Sequence, residues 1–292
     1  MNETVSESRS RLAAAAIAKA LITGSQTILE KSRLVGFPVP PYGLMRRTGP
    51  KSLWQYYAGG LRSYLPIAVL AQSQGIDLRS GIKVLDFGCG VGRQLLHFTH
   101  DYPAPTYFAC DVHPENVAFV RRAYPRVFGS VNGFVPPLDY ETDQFDLVYS
   151  VSVFSHLAPD QHLPWLRELA RVVKAGGYAM LTTEGPTAVR RRMATKVWRE
   201  HPDEAVAALE REGVRYREYD DLGWHKTHEG EPLVGQKYAG VDGSYGNTAI
   251  SPAYVRRAWS RAGFDVINIV EGVIDRRQDL VVLRRAERAT GV

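Results

Sequence analysis

The stretch VLDFGCGVGR, residues 84–93, runs from an apolar, strand-like segment straight into a glycine-rich turn. Open α/β sheets bind their ligands beside such turns, because the chain there can approach a ligand without side chains in between. A dinucleotide fingerprint would read G-x-G-x-x-G, its last glycine letting the helix pack beneath a pyrophosphate. Here the glycines are Gly88, Gly90 and Gly92, and Arg93 stands where that last glycine belongs. Asp86, at the end of the strand, would set a carboxylate against a doubly anionic pyrophosphate. A ligand carrying positive charge suits this turn better.

Outward from the turn, short apolar β-branched runs alternate with helical patterns. The strands expected are KVLDF (83–87), TYFAC (106–110), FDLVYSV (145–151), YAMLTT (178–183), DVINIV (265–270) and DLVVLRR (279–285). Their composition fits strands covered on both faces. Pro114 opens a helix carrying Val117 and Val120, and residues 160–175 put Leu163, Leu166, Leu169 and Val173 on one stripe before a stop at Gly176-Gly177. SPAYVRRAWSRAG, 251–263, has a Ser cap, a first-turn proline and a terminal glycine. The alternation predicts a mostly parallel, Rossmann-like α/β sheet covered by helices on both faces, with right-handed crossovers. The short link between the last two strands predicts a hairpin, so one of them runs antiparallel.

Four segments follow from this pattern. Residues 1–80 are expected to form an N-terminal helical cap, with a helix over 6–36, a proline-rich loop FPVPPYG and a second helix in SLWQYYAGGLRSYLPIAVLAQSQG. Residues 81–185 form the binding core, 186–250 an inserted helix-and-loop lid, and 251–292 return to the core. With 292 residues and 45% hydrophobic residues, a substantial core is expected. The net charge of +5 is scattered as arginine patches, which fits solvated helix faces rather than a nucleic-acid groove. No apolar run approaches the ~20 residues that span a bilayer. Cys89 and Cys110, the only cysteines, suit a reducing, cytoplasmic setting without disulfides.

VLDFGCGVGR resembles the first motif of class I S-adenosylmethionine-dependent methyltransferases. YFACDVHPENV, ending its strand in Asp111, is similar to their second-strand motif. DQFDLVYSVSVFSHL and LRELARVVKAGGYAMLTTEG resemble the fourth-strand motif and the helix and fifth strand that follow it. The resemblance implies a cofactor set of Asp86, Gly88, Cys89, Gly90, Arg93, Asp111, Val112, Asn132, Gly133, Phe134 and Ser150. Asp111 would accept the ribose hydroxyls. Val112 and Phe134 would flank the adenine, and Asn132-Gly133 stands where the family often has an aspartate. Tyr56 and Arg62 would close over the cofactor, with packing or a surface role as the alternative.

Methyl transfer requires alignment of acceptor, methyl and sulfur. SVFSHL places Ser155 and His156 on the acceptor side, and His156 is the candidate base for an alcohol acceptor. The insertion adds a polar set: Tyr219, Trp224, His225 and His228 as substrate contacts, with Asp220, Asp221 and Glu229 as ligands if a divalent cation such as Mg2+ takes part. Gln278 and Asp279 are further candidates for a sugar. More narrowly, the chain resembles bacterial methyltransferases of glycan and cell-surface polysaccharide synthesis. That implies O-methylation of a small molecule or oligosaccharide, specifically a sugar or polysaccharide precursor. The alternatives are N- or C-methylation of a small metabolite, a nicotinamide-dependent oxidoreductase and a non-catalytic cofactor-binding protein. Nucleic acid is not an expected partner, and a homodimer is the default assembly.

Overall fold

A computed structural model describes residues 37–218 and 245–287. The helix expected over 6–36 and the polar set from Tyr219 to Glu229 lie outside the described residues. Those that are described fall into two units: 37–132, 145–149 and 273–275 in the first, and 133–144, 150–218, 245–272 and 276–287 in the second.

In the first unit, α1 (Tyr42–Arg47) leads to α2 (Leu53–Ser73), which begins where the Ser52 side chain accepts the Gln55 N–H. Next come β1 (Lys83–Phe87), α3 (Leu95–Asp101), β2 (Thr106–Asp111), α4 (Pro114–Ala123) and β3 (Val127–Val131), followed by most of β4 (Phe145–Ser150). All pairings here are parallel: β3 on β2, β2 on β1, and β1 on β4 with Val84 opposite Leu147. β1 is buried along Val84–Phe87, as expected of a strand covered on both faces. β3 is an additional strand beyond those expected. Its interior glycine and exposed Phe128 weaken the apolar signal.

Helix α2 reaches the turn because of the glycine pair in YYAGG. A Cβ on Gly60 would come within 2.4 Å of the Arg93 carbonyl oxygen, so only glycine lets the helix pack this closely. The buried Tyr56 hydroxyl donates to the Val91 carbonyl at 2.8 Å and fastens the helix to the turn.

The second unit contains α5 (Pro159–Val172), β5 (Val173–Glu184), a π-helix (Val189–Trp198), α6 (Pro202–Glu212), β6 (Val214–Glu218), β7 (Gly246–Ile250), α7 (Pro252–Ala258), most of β8 (Phe264–Ile274) and β9 (Gln278–Arg285). β9 runs antiparallel to β5 from Tyr178↔Arg284 to Glu184↔Gln278, and β8 pairs with β9. The expected hairpin and antiparallel strand are both present. Two expectations are corrected. The stretch 186–250 is more than helix and loop, because β7 pairs parallel with β5 and β6 antiparallel with β7. The π-helix and α6 pack their apolar side chains, Val189, Met193, Val197, Ala205 and Leu209, around Ala249 of β7. Gly176 does not stop α5. The helix ends at Val172, and Gly176, with φ +76°, lies within β5.

The expected apolar stripe is buried at Leu166, Leu169 and Val173, while Leu163 is half-buried and His162 and Trp165 are buried beside it. His162 sits against Phe154 and Trp259, and its Nε2 donates to the Leu157 carbonyl at 3.2 Å. Burial pushes its pKa down to about 4. The unfolded chain takes up this proton near pH 6.5 and the folded one only near 4. The contribution to stability is therefore complete above about pH 6.5 and is lost between there and pH 4, by up to about 3 kcal/mol. Denaturant melts from pH 7 to 4.5 are expected to show this decline, and His162→Phe is expected to flatten it. An equally steep decline in the variant would assign the effect to other groups.

Candidate functional site

The turn after β1 belongs wholly to the first unit. Gly88, Gly90 and Gly92 all have positive φ. At Gly90, with φ +53°, an added Cβ would lie 2.9 Å from Thr48 Cγ2, so both backbone conformation and space call for glycine. The amides of Gly88 and Cys89 donate to the Cys110 carbonyl at the end of β2. The Gly90 amide donates to Asp111 Oδ2 at 2.8 Å, while Asp111 Oδ1 accepts from the His113 amide and the Asn116 side chain. Three donors thus orient this carboxylate. A carboxylate offers roughly four lone-pair positions, so a ribose diol would meet one remaining position and compete for the others.

Asp86 is 1% exposed, and its Oδ2 has no aligned hydrogen-bond partner. Burial raises its pKa to about 8; the nearby Tyr149 hydroxyl lowers it and Asp111 raises it. Cys89 is a buried free thiol whose pKa burial also raises, so it packs the turn rather than reacting. Arg93 lies against Gly59 and Gly60 of α2. Val112 is half-buried after β2, and the Asn132 amide donates to the Asp111 carbonyl at 3.2 Å. Tyr56 spends its hydroxyl on Val91, and Arg62 pairs with Asp275, so neither is placed over a ligand by its own contacts.

The cradle fits S-adenosylmethionine on two observations. The turn excludes a Cβ at Gly90, and Asp86 at the end of β1 carries a buried acidic oxygen without an aligned hydrogen-bond partner. A sulfonium cofactor tolerates the Asp111 carboxylate bonded to the turn, which a pyrophosphate would not.

A second polar cluster lies wholly in the second unit, at the carboxyl end of β5. Ser152 holds φ +64°, a costly conformation for a side-chain-bearing residue, and its amide donates to Thr182 Oγ1 at 2.7 Å. The Gln278 amide donates to Ser152 Oγ at 2.9 Å and reaches Ser155 Oγ at 3.4 Å. His156 Nδ1 lies 3.0 Å from the Gly246 carbonyl. A carbonyl only accepts, which assigns the proton to Nδ1 and leaves Nε2 as the basic nitrogen. Burial lowers the imidazole pKa, while Glu184 acts to raise it and Arg277 and Arg192 to lower it. Geometry also brings His156 to Glu184 and its arginines: Glu184 pairs across to Gln278 of β9, whose side-chain amide reaches Ser155, the residue before His156.

Glu184 Oε1 lies 3.2 Å from Arg277 Nε and 3.5 Å from Arg192 Nη1. Asp279 accepts the Gly272 amide at 2.8 Å and presses so closely on Gly185 that a Cβ there would lie 1.9 Å from Oδ2. Burial raises its pKa to about 7, and the charges of Glu271 and Glu184 add to the rise. Gln278 and Asp279, expected to face a sugar, are each 1% exposed and instead brace the cluster. Ser150 is buried, and its Oγ has no hydrogen-bond partner among the described residues. In the same unit, Gly133 is exposed and Phe134 half-buried, the Phe134 carbonyl accepting the Trp165 indole N–H at 3.2 Å.

Glu184, Arg192 and Arg277 escaped the sequence reading. Glu184 was visible as an acidic strand end before Gly185-Pro186, but nothing local separates Arg192 from its neighbours in the run Arg190–Arg192. Among the described residues, no three His, Cys, Asp or Glu side chains converge as a metal site. Asp220, Asp221 and Glu229 lie outside the described residues. No helix among those described is long and apolar enough to cross a membrane.

Residues 84–177 match the family model described as Methyltransferase domain. A malonyl-(acyl-carrier protein) O-methyltransferase of Herminiimonas arsenicoxydans is 36% identical over 100 residues, covering 34% of this chain and 36% of that protein. A fatty-acid O-methyltransferase of Mycolicibacterium smegmatis is 32% identical over 108 residues, 36% of this chain and 38% of that one. The matched segment thus spans little more than a third of either relative. Among solved structures, the 1,6-didemethyltoxoflavin-N1-methyltransferase of Burkholderia thailandensis, holding its substrate and S-adenosylhomocysteine, superposes with a TM-score of 0.51 at 15% identity, covering 87% of this chain and 94% of that one. A SAM-dependent methyltransferase of Methanosarcina mazei gives 0.50 at 14% identity, covering 72% and 94%. The fold is the Rossmann-like methyltransferase fold.

Proposed function

We propose that this chain is a methyltransferase that uses S-adenosylmethionine to methylate an oxygen of a small acceptor. The observation that carries the cofactor reading is the hydrogen bond from the Gly90 amide to Asp111, which ties the glycine turn to the acidic end of β2 inside the segment matching the methyltransferase model. Oxygen as the accepting atom is supported by the two curated relatives, both O-methyltransferases by name.

When bound, S-adenosylmethionine supplies a methyl group on a positively charged sulfur. Asp86, Gly88, Gly90 and Asp111 would hold it, with Val112 and Asn132 as further contacts of the same unit and Cys89 and Arg93 shaping the turn. His156 takes the acceptor proton at Nε2 while its Nδ1–H stays on the Gly246 carbonyl. That geometry favours a hydroxyl, which needs a base, over a carboxylate, which is a nucleophile already at neutral pH. A sugar or polysaccharide precursor is the hydroxyl acceptor we favour. Acids form the second class, because the relatives carry malonyl-carrier and fatty-acid names.

Thermal shift separates the cofactor readings: S-adenosylhomocysteine is expected to stabilise the protein and NAD is not. Stabilisation by NAD alone would overturn the assignment. A labelled-methyl screen over sugars, phenols and fatty acids, run with and without chelator, reads the acceptor class and any role for Mg2+ at Asp220, Asp221 and Glu229.

A further inference from the structure

Resting on the methyltransferase reading, we propose that Arg192 and Arg277 form an oxyanion-binding subsite in the neighbourhood of His156. It holds an acidic substituent of the acceptor, a carboxylate or a phosphate ester, distinct from the hydroxyl that is methylated.

The argument starts from Glu184. Its side chain is 4% exposed, whereas those of Arg192 and Arg277 are 29% and 38% exposed, so the carboxylate is buried and both guanidiniums reach solvent. Both cations converge on the same oxygen, Oε1, at ion-pair distances of 3.5 and 3.2 Å. Neither makes an aligned hydrogen bond among the described residues, and Arg277 Nε is a buried donor without one. Each guanidinium carries five N–H donors, and the described residues take up few of them.

A completed structural pair in the same unit looks different. Arg215 meets Glu200 through two parallel 2.8 Å hydrogen bonds and also covers the Trp198 ring. One arginine held in that way would have compensated Glu184. Two, loosely held and partly open, present a pair of forks suited to two oxygens of an anion. Glu184 positions them: anchored from below, both side chains have lost much of the freedom that binding would otherwise remove. The π-helix carrying Arg192 and the β8–β9 turn carrying Arg277 bring the two forks to this strand end from distant parts of the sequence.

The test loads the full-length protein with S-adenosylhomocysteine and titrates it with glucuronate, glucose 1-phosphate and methyl glucoside by calorimetry. At least one anion is expected to bind about tenfold or more tightly than the neutral sugar. Whichever binds better identifies carboxylate or phosphate as the natural handle. Arg192→Gln and Arg277→Gln are each expected to weaken that anion on the order of tenfold, with Arg→Lys at either position intermediate. Cofactor affinity is expected to stay at the wild-type value in all four variants. With a turned-over anionic acceptor, KM is expected to rise while kcat is held. Equal binding of the neutral sugar, no binding of either anion, or wild-type anion affinity in the Gln variants would overturn the subsite and leave the methyltransferase reading standing. Failure of S-adenosylhomocysteine to bind the wild-type protein would instead remove the reading beneath it.

Discussion

Asp111→Ala is expected to weaken S-adenosylhomocysteine binding by on the order of a hundredfold. The carboxylate accepts the Gly90 amide, the His113 amide and the Asn116 side chain, and it is 7% exposed. Removing it strands three donors, each at a cost of about 1–3 kcal/mol. That cost falls on the fold of the turn; the affinity falls through the charged hydrogen bond that Asp111 would accept from a ribose hydroxyl, up to about 3 kcal/mol, and every 1.4 kcal/mol is a factor of about ten. The Gly90 amide is the donor that matters most, since it shapes the turn at positive φ. Asp111→Asn retains an acceptor for one oxygen's partners and is expected to fall between. Calorimetry reads the affinity, and a melt without ligand separates it from loss of fold. Wild-type affinity in a folded Asp111→Ala protein would move the cofactor away from this turn.

For His156→Ala the expected result is a fall in kcat of about 10²–10⁴-fold with cofactor affinity unchanged, the usual contribution of a general base. The pH profile gives an independent reading. Burial lowers the imidazole pKa, so the neutral, active form persists below the ordinary histidine value of about 6.5. Activity of the wild-type protein is therefore expected to be level through neutrality and to fall on the acid side only below about pH 6.5. That acid limb should disappear from the residual activity of His156→Ala. Full turnover in the variant, or an acid limb that survives the substitution, would assign the proton to another group.

Much of the first unit was legible because its determinants are local. KVLDF is a strand on composition alone, the glycines of 88–92 announce a turn, and an acidic residue ends the next strand. The π-helix and β6–β7 were less legible, since VRRRMATKVW carries an ordinary polar helix composition and VRYRE alternates arginines with apolar residues. β7, GNTAI, is buried throughout, yet its composition resembles a loop. Its strand state comes from pairing with β5 and β6.

By itself the sequence determined the alternating α/β plan, the positive-φ turn and the chemistry facing it. Each follows from periodicity and residue type within a few positions. Only the tertiary structure decided what surrounds Glu184: which of three consecutive arginines reaches it, that Arg277 joins from the last hairpin, and that Gln278 and Asp279 are buried braces. Those facts depend on strand register and helix phase between segments far apart in the chain, and a pairing partner leaves no mark on local sequence.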